Sequence, residues 1–215
     1  MITVYLCCEG VTDYAVIPIL MKKVKVLSDI DIQWVKRDFL KKFRTHSKTD
    51  IVISGHYKNV KALAAYSLKN DNKYIAYHQD ADGRYNDVYE TIKTEFKFLM
   101  EKMDFHCLAI VPKEMLESWL LADVKAVNSV GNGIDHVDQS PLPETLWGNE
   151  DDPNSDYPKN YLKRNLNELN VGSSPDTYAQ IAEKTDIEVL KRRCPKSFGQ
   201  FYADMQSFIG EENTP

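Results

Sequence analysis

The chain has 215 residues, of which 43% are hydrophobic, and it carries a formal net charge of −5 at pH 7. This length suits one compact domain, or one domain with a helical extension, and no apolar run is long enough to cross a membrane. The acidic balance excludes binding to nucleic acid through bulk charge alone, so such binding would need a local basic patch, a metal ion or a partner.

Four apolar segments, which alternate with helical patterns, predict the strands of the fold. The segments are 2–7, 30–35, 74–78 and 105–111. Nearly continuous apolar runs are typical of strands that are covered on both faces, as in a parallel sheet. The sequence therefore predicts an α/β fold with a mostly parallel central sheet flanked by helices. Segment 51–53 is a candidate for a further short strand.

Apolar residues at helical spacing predict the helices. In chain order they are 11–24, 60–69, 85–103, 115–122, 157–169, 178–184, 187–193 and 198–208. We divide the chain into an α/β core at 1–125, an irregular connection at 126–156 and a helical C-terminal region at 157–215 that packs on the core. An irregular connection of this length is uncommon unless it is functional or mobile.

Acidic residues follow three of the predicted strands. They are Glu9 with Asp13 after the first strand, Asp80 and Asp82 after the third, and Glu114 and Glu117 after the fourth. Because the carboxyl ends of parallel strands meet at one edge of a sheet, we expect these carboxylates to converge. Clustered carboxylates raise one another's pKa unless a cation lies between them. Mg²⁺, which prefers oxygen ligands, is the simplest such cation, and Mn²⁺ is the alternative.

Each acidic patch taken alone also has a structural explanation. Asp80 could cap a turn made by Asp82 and the following glycine, and Glu9 could lie near a helix N-terminus. Glu114 and Glu117 would share one face of a helix, where Glu117 could serve as a cap or in a salt bridge. The coincidence of three patches after three strands favours a joint role.

One basic stretch interrupts the acidic background. Between positions 36 and 48 it contains Lys36, Arg37, Lys41, Lys42, Arg44 and Lys48, with Phe39 and Phe43 interleaved and Asp38 as the one acid. Such a stretch is either a solvated surface or a contact for phosphates. Lys41, Lys42 and Arg44 are therefore candidate substrate-binding residues.

Three runs together resemble the TOPRIM module of topoisomerases, bacterial primases and OLD-family nucleases. They are Cys8–Asp13, Asp80–Gly83 and Pro112–Asp123. That module has a glutamate after its first strand and an Asp-x-Asp after a later one, which together bind magnesium, and Glu9, Asp80 and Asp82 match these positions. The chain looks closer still to a family of small stand-alone TOPRIM-like proteins of prokaryotes and phages, whose closing motif resembles Arg192–Phe198.

The sequence departs from the TOPRIM pattern at one position. The third acid of the extended motif is replaced by Arg84, so a ligand of a second metal is missing, or Glu114 or Glu117 replaces it. OLD-type nucleases also use a late lysine, and Lys159 or Lys196 could match it, although the sequence favours a solvated side chain at either position.

The resemblance implies a Mg²⁺- or Mn²⁺-dependent nuclease that hydrolyses DNA or RNA in anti-phage defence. The implied catalytic residues are Glu9, Asp80, Asp82 and Glu117, and the implied metal ligands are Glu9, Asp80, Asp82 and Glu114. Lys159 is the implied substrate-binding residue, beside Lys41, Lys42 and Arg44 from the basic stretch. The main alternative is a non-catalytic module that docks on a partner ATPase from a neighbouring gene or on another defence component. A phosphotransferase or nucleotidyltransferase is a third possibility.

The four cysteines include no pair at zinc-ligand spacing, and the amino terminus lacks the pattern of a secretory signal. We therefore expect reduced cysteines, a cytoplasmic location and no contact with a membrane. The sequence is compatible with an oligomer and does not specify one.

Overall fold

A computed structural model describes residues 2–25, 30–43, 55–133 and 135–208. The strands are β1 (Ile2–Cys7), β2 (Ile30–Trp34), β3 (Tyr74–His78) and β4 (His106–Ile110). The helices are α1 (Val11–Val24), α2 (Arg37–Leu40), α3 (Gly55–Lys69), α4 (Tyr85–Met103), α5 (Leu116–Leu120), α6 (Val124–Asn128), α7 (Pro158–Glu168), α8 (Pro175–Lys184), α9 (Ile187–Arg193) and α10 (Ser197–Phe208). The strand predicted at 51–53 lies outside the described residues.

The four strands form one sheet in the order β2-β1-β3-β4, and every neighbouring pair is parallel. Ile2 pairs with Ile30 across β1 and β2, and Tyr5 pairs with Ile75 across β1 and β3. The predicted α/β fold with a parallel sheet and flanking helices is therefore confirmed. Within the described ranges, no helix is long and apolar enough to cross a membrane.

Alternation along the strands divides the hydrophobic core into two layers. On β1, Val4 and Leu6 face the layer that contains α1 and the C-terminal helices, whereas Tyr5 and Cys7 face the layer that contains α3 and α4. Both layers are buried, as expected for a parallel sheet that is covered on both faces. This packing fixes the carboxyl ends of the strands, from which the acidic residues project.

The C-terminal helices pack on the first of these two layers. Helix α8 lies against α1, and α10 lies against β4. Trp119 joins α5 to α10: its ring is fully buried, its centroid lies 5.1 Å from that of Phe198, and its indole N–H donates to Ser197 Oγ at 2.8 Å. Glu144 in turn accepts the backbone N–H of Ser197 at 2.6 Å. The connection after α6 is therefore fastened to the start of α10.

Substitution of Trp119 should destabilise the protein strongly. Trp119→Ala removes a fully buried ring, and we expect the free energy of unfolding to fall by about 3–5 kcal/mol. Urea denaturation followed by circular dichroism measures this change. Phe98→Ala is the matched control, because the Phe98 side chain is 53% exposed; equal losses in the two variants would contradict the packing described for Trp119.

Candidate functional site

The site lies where the connections of the sheet diverge. From β1 the chain passes to β2 on one side, and it then crosses to β3 on the other side of β1. A crevice is expected outside the carboxyl ends of the two strands at such a crossover point. A cleft of about 460 Å³ lies there, lined by Glu9, Gly10, Thr12, Asp13, Asp80, Asp82, Met115, Glu117, Glu150, Tyr157 and Lys159. We call it the acidic cleft, because six of its lining residues are acids and one is a lysine.

The acidic cleft brings together acids that are far apart in the sequence. Glu9 follows β1, Asp80 and Asp82 follow β3, and Glu117 lies on α5 after β4. Lys159, at the start of α7, lines the same cleft. The structure thus shows the expected convergence of these side chains, whereas their roles in catalysis and metal binding stay predictions.

Glu114 does not line the acidic cleft. Met115 is extended, with φ −153° and ψ 171°, and α5 begins only at Leu116, so the prediction that Glu114 and Glu117 share a helix face is wrong. The Leu116 N–H donates to Asp80 Oδ1 at 3.1 Å, and this bond holds the start of α5 against the turn after β3. The Glu114 carboxylate lies instead beside Gly83, with Oε2 3.4 Å from the position of a β-carbon there. Its role as a metal ligand therefore rests on the resemblance alone.

Arg37 supplies a positive charge at the edge of the acidic cleft. Its Nη1 donates to Glu9 Oε1 at 3.0 Å, and its Nη2 donates to the His78 carbonyl at 2.7 Å and to Gln79 Oε1 at 2.9 Å. Gln79 Nε2 donates to the same Glu9 oxygen at 2.7 Å. Arg37 thus ties the turn after β1 to the end of β3 and fixes the Glu9 carboxylate.

His78 lies beneath the acidic cleft and is fully buried. Its Nε2 is 3.2 Å from Asp80 Oδ1 and its Nδ1 is 3.8 Å from Asp13 Oδ2, but neither contact has hydrogen-bond geometry. Burial alone would lower the pKa of His78, and the carboxylates of Asp80 and Asp13 outweigh it, so the pKa is raised. A protonated His78 would offset part of the negative charge of these two acids.

Three acids of the cleft have raised pKa values, mainly because they are buried. Burial raises the pKa of Glu117 to about 7, and the charges of Asp80 and Asp13 add to the shift. Burial likewise raises the pKa of Asp82, with a contribution from Glu9. Burial also raises the pKa of Asp80, and the opposing effect of His78 does not cancel it. These shifts arise first from burial and second from neighbouring carboxylates, as expected for acids that are enclosed together.

The donor chemistry of the acidic cleft fits a hard divalent cation. Glu9, Asp80, Asp82 and Glu117 line one space, and Mg²⁺ and Mn²⁺ prefer carboxylate ligands. Among the described residues, however, no three of the acids, histidines or cysteines already surround one point closely enough to hold a metal ion. The cleft is therefore suitable in charge and ligand type, and its side chains are not arranged as a closed coordination shell.

The predicted substrate-binding residues divide into three groups. Lys159 lines the acidic cleft. Lys41 and Lys42 are exposed in the 3₁₀ turn after α2; Lys41 pairs with Asp38 at 2.7 Å, and the Lys42 ammonium lies 5.3 Å from the Phe39 ring centroid. Arg44 lies outside the described residues.

Sequence reasoning did not assign Arg37, His78, Glu150 or Tyr157 to the site. Side chains alternate between the two faces of a strand, so His78 lies on the same face as Ala76, which faces α1. Asp13 is on α1, and the alternation could therefore have predicted that His78 lies near Asp13. In the sequence, Arg37 does not differ from the other members of the basic stretch. No periodic pattern points to Glu150 or Tyr157, because Glu150 lies in the irregular connection and Tyr157 directly follows it.

The pKa of Glu117 predicts a pH-dependent stability. The folded protein holds this proton up to about pH 7, while the unfolded chain releases it near the usual 4.5. The folded state therefore binds more protons between these values, and the free energy of unfolding falls as pH rises through this window. Glu117→Gln should remove the effect and make the metal-free protein more stable at pH 8, by up to about 3 kcal/mol.

Urea denaturation of the metal-free protein between pH 5 and pH 8 measures this difference, with the exposed Glu168→Gln as the control. We expect the stability gain of Glu117→Gln to grow with pH and that of the control to stay near zero. A gain that is the same at both ends of the range would mean that Glu117 ionises normally.

Comparison with known proteins identifies a family without an assigned role. No curated protein and no solved structure matches the sequence. The model of one family, described as a domain of unknown function (DUF4276), matches residues 8–206, a span that includes every lining residue of the acidic cleft. Since this match covers far more than half of the sequence, the chain belongs to the DUF4276 family.

Proposed function

We propose that this protein is a Mg²⁺- or Mn²⁺-dependent nuclease that hydrolyses phosphodiester bonds of DNA or RNA in the cytoplasm. The observation that carries the proposal is the joint placement of Glu9, Asp80, Asp82 and Glu117 in one cleft at the crossover point of a parallel sheet. A role in anti-phage defence is proposed with it, on the basis of the sequence resemblance to TOPRIM-like proteins.

In this proposal Glu9, Asp80 and Asp82 hold the divalent cation. The cation would supply stabilisation of the negative charge on the phosphoryl oxygens and would lower the pKa of a coordinated water. The supporting contacts fix two of these ligands: Arg37 and Gln79 position Glu9, and the Leu116 N–H positions Asp80. Side chains held in this way keep their orientation before the cation arrives.

Two further lining residues have chemistry that suits hydrolysis. Glu117, with its pKa raised to about 7, can accept a proton from a water molecule or return one to a leaving oxygen near neutral pH. Lys159 brings an ammonium group into a cleft that is otherwise acidic, where it can stabilise charge on a phosphate oxygen. We therefore assign proton transfer to Glu117 and charge stabilisation to Lys159.

The basic stretch gives the nucleic acid a path to the acidic cleft. Arg37 belongs to this stretch and contacts Glu9, and the exposed Lys41 and Lys42 follow within the same stretch. We assign phosphate contacts to these two lysines, and binding through them should weaken as salt is raised.

The Arg37–Glu9 ion pair favours one alternative function. Arg37 forms an ion pair with Glu9, a carboxylate that the metal ion would need. Such a pair is also what a site that has lost metal binding would contain. The protein would then act as a docking module for an ATPase from a neighbouring gene or for another defence component, as a monomer or an oligomer. Metal binding separates the two functions, because only the nuclease requires it.

The nuclease proposal predicts loss of cleavage on substitution of Asp80. Asp80→Asn keeps the oxygen that accepts the Leu116 N–H and removes the charge, so the fold should persist while cleavage of mixed single-stranded and duplex nucleic acids with Mn²⁺ or Mg²⁺ is abolished. Asp104→Asn is the matched control, since Asp104 follows α4 at the far end of the sheet and has φ 56°, which asparagine also adopts.

The same pair of variants tests metal binding by thermal denaturation. Mn²⁺ should raise the melting temperature of the wild type and of Asp104→Asn, and it should not raise that of Asp80→Asn. Assays are run with and without the product of the neighbouring gene. Cleavage that survives Asp80→Asn would move the active site elsewhere, and a wild type that neither binds metal nor cleaves would favour the docking function.

Substitution of Lys159 should lower the rate without affecting stability. Lys159 is exposed and lines the acidic cleft, so Lys159→Ala should lower kcat by about 10²-fold, within the range for removal of one group that stabilises charge. Lys163→Ala, an exposed position on the same helix, is the control. Equal kcat values for the two variants would show that Lys159 is only a solvated side chain.

A further inference from the structure

Trp147 is exposed at the edge of the acidic cleft. Its side chain is 63% accessible, the largest value among the exposed large hydrophobic residues of the described chain. The ring lies against the turn after β3: a β-carbon built on Gly83 would be 3.6 Å from Trp147 Cζ3. Because Asp82, the residue before Gly83, lines the acidic cleft, the indole lies next to the proposed metal ligands.

The surrounding loop holds Trp147 in a fixed position. Leu146 is buried, and Gly148 packs so closely that an added β-carbon would be 2.7 Å from the Tyr157 amide nitrogen. The Asn160 side chain donates to the carbonyls of Glu150 and Asp152, each at 2.9 Å. A tryptophan that a tightly bonded loop keeps in solvent offers a preorganised aromatic surface.

A second hollow that includes Gly83 carries positive charge. It has a volume of about 250 Å³ and is lined by Gly83, Arg84, Tyr85, Asn86, Asp87 and Lys196. Arg84 and Lys196 are exposed, and the Lys196 ammonium lies 5.4 Å from the Tyr85 ring centroid. With Asp87 as the one acid, the hollow has a positive balance and shares Gly83 with the surface that carries Trp147.

We propose that Trp147 stacks on an unpaired nucleobase of a single-stranded substrate, while Arg84 and Lys196 contact a neighbouring phosphate. This inference rests on the proposed nuclease function and narrows its substrate to strands with accessible bases. An aromatic face beside cations is the arrangement that binds single strands through stacking and backbone charge. In a duplex the base faces are already stacked on one another, so they cannot cover the Trp147 ring.

The test measures binding of short phosphorothioate strands, which resist cleavage, by fluorescence anisotropy in Mg²⁺. The probes are thymidine strands, uridine strands and abasic strands of equal length, and the variants are Trp147→Leu, Trp147→Phe and the control Phe98→Leu. We expect Trp147→Leu to bind both base-bearing strands about tenfold more weakly, Trp147→Phe to lose less, and the control to match the wild type. All four proteins should bind the abasic strand equally.

The fluorescence of Trp147 gives an independent readout of stacking, because Trp147 is the exposed one of the three tryptophans. Trp119 is fully buried, and Trp34 is half-buried and stacked on Tyr14, with 5.1 Å between the ring centroids. Base-bearing strands should quench the wild-type emission and abasic strands should not. If a folded Trp147→Leu variant binds all strands with wild-type affinity, the stacking proposal is wrong. The same result is expected if Trp147 binds a partner protein instead of a nucleobase. That result leaves the nuclease proposal intact, whereas a wild type that neither binds metal nor cleaves would overturn the nuclease proposal without changing the outcome of the binding test.

Discussion

All strands of the sheet run in the same direction, and this constraint places their carboxyl ends at one edge. Glu9 and Asp80 follow neighbouring strands and therefore meet, although they are far apart in the sequence. The crossover between β2 and β3 leaves that edge open beside β1. The resulting cleft gathers carboxylates whose mutual repulsion opposes folding, and Arg37 and Lys159 supply the nearby positive charge. The remaining cost is met by the two hydrophobic layers that bury the sheet.

Much of the core and part of the site could be predicted from the sequence. Strands such as Ile2–Cys7 and Tyr74–His78 are short apolar runs with clear ends, and the burial of both sheet faces explains why they contain few polar residues. Once the strands are known to be parallel, an acid directly after a strand must lie at the common edge. The convergence of Glu9, Asp80 and Asp82 follows from this rule and needs no knowledge of side-chain contacts.

The rest of the site depends on interactions that leave no periodic pattern. Glu114 was expected beside Glu117, but the extended conformation of Met115 separates them, and the bond from Leu116 to Asp80 that fixes this start is a tertiary contact. His78 is one polar residue at the end of an apolar strand, and its environment is created by Asp13 on a different element. Arg37 carries the same charge as its lysine neighbours, and only the fold distinguishes it.

The irregular connection shows why the site is a property of the whole chain. The described residues between α6 and α7 contain little regular structure, yet side chains hold this segment: Asn160 binds its carbonyls, and Glu144 binds the start of α10. Ser197, which Glu144 contacts, also accepts a hydrogen bond from Trp119 on α5, the helix that carries Glu117. The loop that presents Trp147 and Glu150 is thus connected to the helix behind the acidic cleft. Removal of the C-terminal helices would release both, and it would also expose the layer of the core that contains Val4 and Leu6.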